Sequence, residues 1–139
     1  VMVTEKIANK NPKPIEDCRI PSCIYANPQI ANIGITEREA KAKFGEINVG
    51  KFPFSANGRA LTEEESVGLI KTIFVKSTGE LVGVHMIGAE VTELIHGFAL
   101  GMTLETTEEE LINTIYPHPT LSEISLESVL SAFNREIHL

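Results

Sequence analysis

The sequence predicts an α+β domain, a mainly antiparallel sheet with flanking helices. Three observations carry that reading. Residues 67–76 and 81–87 are rich in β-branched and apolar residues, and Ser77-Thr78-Gly79-Glu80 between them has the composition of a hairpin turn. Thr36-x-x-Glu39 and Thr107-x-x-Glu110 have the form of a capping box, in which a threonine and a glutamate satisfy each other's backbone amides at a helix start. Val91, Leu94, Ile95, Phe98, Ala99 and Met102 fall on one face of a 3.6-residue period, the mark of a helix laid on a core.

The elements follow in order. Val3 and Ile7, four apart, suggest the end of a helix in residues 1–10, stopped by Asn11-Pro12-Lys13-Pro14, which reads as a linker. Residues 22–26 and 30–35 read as two strands with Asn27-Pro28 between them. A short helix from Thr36 to about Phe44 is closed by Gly45, and residues 47–53 form another strand. Ser55 to Thr62 is a polar connection with a single helical turn. The hairpin comes next, and Gly88 ends its second strand. In the helix that follows, Gly97 and Gly101 lie on a separate stripe that permits close packing. A short helix runs from Thr107 to about Ile115. A proline-rich loop then leads to a last helix, where Leu126, Leu130, Phe133 and Ile137 recur at steps of three and four.

Composition bounds the function. At 139 residues the chain suits one domain, and 42% hydrophobic with 22% charged residues is ordinary for a globular protein. A net charge of −7 with no basic run argues against nucleic acid as a partner. No apolar stretch approaches a membrane span, so no membrane association is expected. There is no glycine-rich dinucleotide motif after a strand and no phosphate loop. His85, His96 and His138 show no metal-ligand spacing with cysteine or carboxylate, so no metal site is expected.

The chemistry concentrates in Tyr116-Pro117-His118-Pro119-Thr120-Leu121-Ser122-Glu123. The prolines stiffen the loop around one imidazole, the side chain that most readily exchanges protons near neutral pH. A carboxylate on one ring nitrogen would set the tautomer and leave the other nitrogen as acid or base. Thr120-x-x-Glu123 is equally a capping box, in which Glu123 reaches back to the helix start and His118 is an ordinary loop residue. Both readings stand on spacing alone, and they are compatible. The loop offers a base and its orienter without a reacting partner.

Cys18 and Cys23 are four residues apart. A reactive thiol needs a helix N-terminus or a cation nearby. Cys18 instead follows Glu16-Asp17 and Cys23 opens a strand, so a redox role is not expected. Two thiols also do not make a secreted disulfide framework, which favours a reducing compartment.

The segment from Tyr116 to Glu123 resembles the C-terminal dimerisation domain of pyridine nucleotide–disulfide oxidoreductases, and His-Pro-Thr-Leu-Ser-Glu is most similar to the dihydrolipoamide dehydrogenase branch of that family. Residues 24–34, Ala56-Asn57-Gly58-Arg59-Ala60 and Gly83-Val84-His85-Met86-Ile87-Gly88 are similar to it as well. The resemblance implies that residues 15–139 are the dimerisation (interface) domain and residues 1–14 a remnant of a preceding flavin-binding region with its linker. It implies a parent that uses FAD and NAD to oxidise dihydrolipoamide carried on a lipoyl domain of a 2-oxo acid dehydrogenase complex. It assigns His118 as the acid/base and Glu123 as its orienter, delivered to the partner subunit of a homodimer. The backbone at His118 and Pro119 would lie near that partner's FAD. The family's nucleotide-binding and dithiol motifs are absent, so this chain alone is expected to be inactive and to bind neither cofactor. The implied location is the bacterial cytoplasm or, as a lesser alternative, the mitochondrial matrix. The competing readings are a structural dimerisation module of a glutathione reductase-like flavoenzyme and an independent thiol oxidoreductase using Cys18 and Cys23. Activity of a His118 variant separates the first from the leading reading, and thiol titration separates the second.

Overall fold

The computed structural model describes residues 1–138. Five strands, β1 (Ser22–Ile24), β2 (Gln29–Gly34), β3 (Ile47–Pro53), β4 (Leu69–Val75) and β5 (Leu81–Gly88), form one antiparallel sheet in the order β1-β2-β5-β4-β3. The hairpin expected from the turn residues is β4–β5, with a register irregularity at Ile73/Phe74. Among the described residues six α-helices accompany the sheet: α1 (Met2–Ile7), α2 (Glu37–Phe44), α3 (Gly58–Thr62), α4 (Val91–Thr103), α5 (Glu108–Asn113) and α6 (Glu123–Ala132). The capping boxes at Thr36/Glu39 and Thr107/Glu110 both form, so local pairing defines the starts of α2 and α5.

Strand alternation sorts side chains to two faces. Ile70, Thr72 and Phe74 of β4 face α4 and α6, where Phe52, Met86, Val91, Ile95, Phe98, Ile124 and Val129 complete the main core. Ile73 and Val75 face the other way and pack with Ala40 of α2 and Val82 in a smaller cluster. Helix α1 buries no residue, and residues 10–16 have no regular structure. Arg19 ties the segment before β1 to the end of α4 by donating from Nη1 to Met102 O at 3.0 Å.

Helix α6 sits flush on the sheet for two reasons written into β3 and β4. Gly50 and Thr72 are directly opposite in register. A Cβ at Gly50 would lie 1.8 Å from Ser128 O and 2.5 Å from Ala132 N, so only glycine admits the helix backbone there. The buried Thr72 hydroxyl then donates to Ser128 O at 2.9 Å.

Three details differ from the sequence pattern. Helix α6 ends at Ala132, not near Ile137; Asn134 takes a left-handed conformation (φ 55°), and Ile137 is exposed. The helix buries Ile124, Val129 and Leu130 but also Ser125, Glu127 and Ser128: Ser128 lies against Gly50 and Thr72 of the sheet, and the following segment folds back onto Glu127. Gly97 faces open space rather than a packed neighbour, while Gly101 is buried against Thr106.

Candidate functional site

The site is a cleft of about 210 Å³ between α3, the 116–120 loop, α6 and the C-terminal segment. Each wall is fixed by identifiable contacts. Asn57 caps α3 by accepting from Ala60 N at 2.9 Å, and its Nδ2 donates to Thr120 O at 3.2 Å, which tethers the loop. Thr120 Oγ1 donates to Pro117 O at 2.7 Å. Thr120 is therefore not the side-chain cap that spacing suggested: Ser122 precedes the first helical residue, Glu123, and makes no side-chain cap bond.

Glu123 makes both contacts anticipated for it. Its Oε2 accepts from Thr120 N at 2.8 Å, the backward reach of a capping glutamate. Its Oε1 lies 2.9 Å from His118 Nδ1. Burial raises the carboxyl's pKa, but the Thr120 amide, the hydrogen bond and charge of His118, and the charge of His138 outweigh it, so the value falls below the ordinary 4.5. Glu123 is thus ionised at neutral pH and can only accept, which requires the proton on His118 Nδ1 and leaves Nε2 uncommitted. The His118 side chain is 81% exposed and that of Glu123 28%, so the pair is open to a second molecule while its orienter is sheltered. Because the folded pKa of Glu123 is depressed, its contribution to stability is complete above about 4.5 and is lost as pH falls through the folded value.

A second pair lines the same cleft. His138 Nδ1 lies 2.6 Å from Glu127 Oε1, and Glu127 Oε2 accepts from Ile137 N at 3.0 Å. The sequence reading sets His138 aside as a metal ligand and does not single out Glu127; the available signal is a glutamate one turn after Glu123. Tyr116 also lines the cleft, and burial raises its phenol pKa. His85 lies elsewhere, in β5, with Nε2 3.2 Å from Ile35 O, and His96 is exposed on α4. Cys18 is exposed, Cys23 is half-buried, and both are free thiols. Among the described residues, no group of three or more His, Cys, Asp or Glu is arranged to hold a metal ion. No helix of these residues is long and apolar enough to cross a membrane.

The described residues thus form a five-stranded antiparallel sheet backed by helices, with His118 on an exposed proline loop and Glu123 at the start of α6. Residues 20–129 match the family model described as pyridine nucleotide-disulphide oxidoreductase, dimerisation domain, and the chain belongs to that family. Among similar proteins, a dihydrolipoyl dehydrogenase of Rhizobium etli is 52% identical over 139 residues, covering 99% of this chain and 29% of that protein. One from Bacillus subtilis is 43% identical over 138 residues, again covering 99% of this chain and 29% of the relative. The chain therefore spans under a third of the length of these relatives. LpdA from Mycobacterium tuberculosis shares the fold, with a TM-score of 0.85 at 23% identity over 92% of this chain and 28% of that one.

Proposed function

We propose that this chain acts as the dimerisation domain of a dihydrolipoyl dehydrogenase, with residues 15–139 forming the domain and residues 1–14 leading into it from a flavin-binding region. In the homodimer it supplies His118 and Glu123 in trans to the partner subunit. The observation that carries this reading is the His118–Glu123 hydrogen bond of 2.9 Å on an exposed loop, with the carboxylate anchored independently on Thr120 N. The proposed substrate is dihydrolipoamide, presented by a lipoyl domain of a 2-oxo acid dehydrogenase complex, and the proposed location is the bacterial cytoplasm.

The fit to the cofactors is divided. The sequence holds no glycine-rich dinucleotide loop, while His118 and Pro119 are exposed and free to meet FAD and a dithiol carried elsewhere in the dimer. When bound, FAD and the dithiol pass electrons from substrate to NAD. The work of this chain is proton handling: His118 Nε2 takes the substrate thiol's proton, and Glu123 stabilises the imidazolium and holds the ring in place.

Glu123→Gln in the full-length enzyme tests the pairing. Glutamine keeps an acceptor but loses the charge, so stopped-flow reduction by dihydrolipoamide should slow by about tenfold, less than the loss expected at His118. A capping role alone predicts a lower melting temperature with an unchanged rate.

The dimer contact is proposed at an open groove of about 320 Å³ between α4, α5 and the start of α6, lined by Leu94, Phe98, Leu100, Leu104 and Leu111. Leu100 is 55% and Leu104 71% exposed, and both are apolar surface that association would cover. Leu104→Asp should weaken the dimer by at least about tenfold, because burying a carboxylate without a partner is costly. Sedimentation of the full-length enzyme reads this directly, and an unchanged dimer constant places the contact elsewhere.

A further inference from the structure

We propose that Glu127 and His138 form a positioning pair for the His118–Glu123 dyad, holding the C-terminal segment down as one wall of the cleft and setting the charge beside Glu123. This rests on the acid/base reading of His118.

Glu127 is 5% exposed, and a carboxylate so deeply buried is costly unless its oxygens are satisfied. Both oxygens are spent on the C-terminal segment: Oε2 on Ile137 N at 3.0 Å and Oε1 on His138 Nδ1 at 2.6 Å. An apolar side chain would pack α6 as well, so the carboxylate is explained by what it holds. The chain turns back through Asn134 (φ 55°), the turn is closed by Arg135 N donating to Leu130 O at 2.9 Å, and Ile137 and His138 arrive in the cleft opposite His118 and Pro119.

Glu123 and Glu127 are four residues apart on α6 and line one cleft, so each carboxylate serves one imidazole through Nδ1. The charge of His138 also reaches Glu123 and helps to keep its carboxyl ionised. The charged and titratable groups facing the cleft are Arg59 from α3, Tyr116 and His118 from the loop, Glu123 and Glu127 from α6, and His138. Arg59 is engaged by Glu63.

The test has two parts. Following the Glu123 carboxyl carbon by NMR against pH in this chain, His138→Ala should raise its titration midpoint by roughly a few tenths of a pH unit, because a positive neighbour is lost. Glu127→Gln should lower it by a similar amount, because a like charge is lost. A plain structural clasp predicts no such opposite pair of shifts, and unchanged midpoints in the two variants overturn the proposal. In the full-length enzyme, His138→Ala should slow reduction by dihydrolipoamide about tenfold, and His138→Asn, which keeps a donor near the Nδ1 position, should recover most of it. His118→Gln is run beside them. Fast reduction in that variant overturns the acid/base reading itself. Slow reduction there, with His138→Ala at the wild-type rate, overturns only the positioning pair. Should His138→Ala fail to fold, His138→Asn still reads the charge effect on Glu123.

Discussion

Replacing His118 with glutamine in the full-length flavoenzyme is expected to slow reduction by dihydrolipoamide by about 10²–10⁴-fold, the usual worth of a positioned general acid/base. Flavin content should be retained, because His118 contributes no packing to the core and its side chain is 81% exposed. The size of the effect follows from the tautomer. With Glu123 ionised, Nδ1 is committed as a donor and Nε2 is the only ring atom free to exchange a proton. Glutamine can donate or accept a hydrogen bond at a similar reach, but it cannot hold the thiol's proton at neutral pH. Stopped-flow spectra of the flavin under single-turnover conditions measure the step. Reduction at the wild-type rate would remove His118 from the chemistry.

The largest expected loss of stability is at Gly50→Ala. The added methyl would sit 1.8 Å from Ser128 O and 2.5 Å from Ala132 N, both backbone atoms that no rotamer change can withdraw. Helix α6 must lift off the sheet, which also breaks the buried hydrogen bond from Thr72 to Ser128 O. Overpacking of this kind typically costs about 1–3 kcal/mol and sometimes more. A lost buried hydrogen bond adds about 1–2 kcal/mol. A total of about 3 kcal/mol or more is expected, read as a lower urea midpoint with unchanged slope. Because Glu123 and Glu127 ride on α6, residual activity of the full-length variant should fall as well. A midpoint within experimental error of wild type would mean the helix does not rest on Gly50.

What the sequence made legible is local. The two capping boxes, the hairpin turn at Ser77–Glu80 and the face of α4 depend on residues within a few positions of each other, and each formed where its pattern lay. The His118–Glu123 pairing was legible for the same reason. What the pattern missed at Ile137 and Gly50 depends on partners farther along the chain, and at Thr120 on a competing local acceptor. Ile137 continues the period of α6, yet the helix stops at Ala132 because the chain turns at Asn134 to meet Glu127. Thr120 matches a capping threonine, but its hydroxyl finds Pro117 O first. Gly50 looks like an ordinary strand glycine until Ser128, far along the chain, is placed over it. On the proposed reading His118 meets its reacting partner in the other subunit, which no periodicity within this chain could show.

Subunit complementation reads out whether this domain serves its partner's site. One subunit carries His118→Gln with an intact redox dithiol, and the other carries an intact His118 with its dithiol changed to serines; each homodimer alone should be nearly inactive. If the dyad acts in trans, the mixed dimer contains one complete site and should show about half the activity of the wild-type dimer. A mixed dimer as inactive as its two parents would rule out action in trans, since it would place His118 and the dithiol of each site on the same subunit.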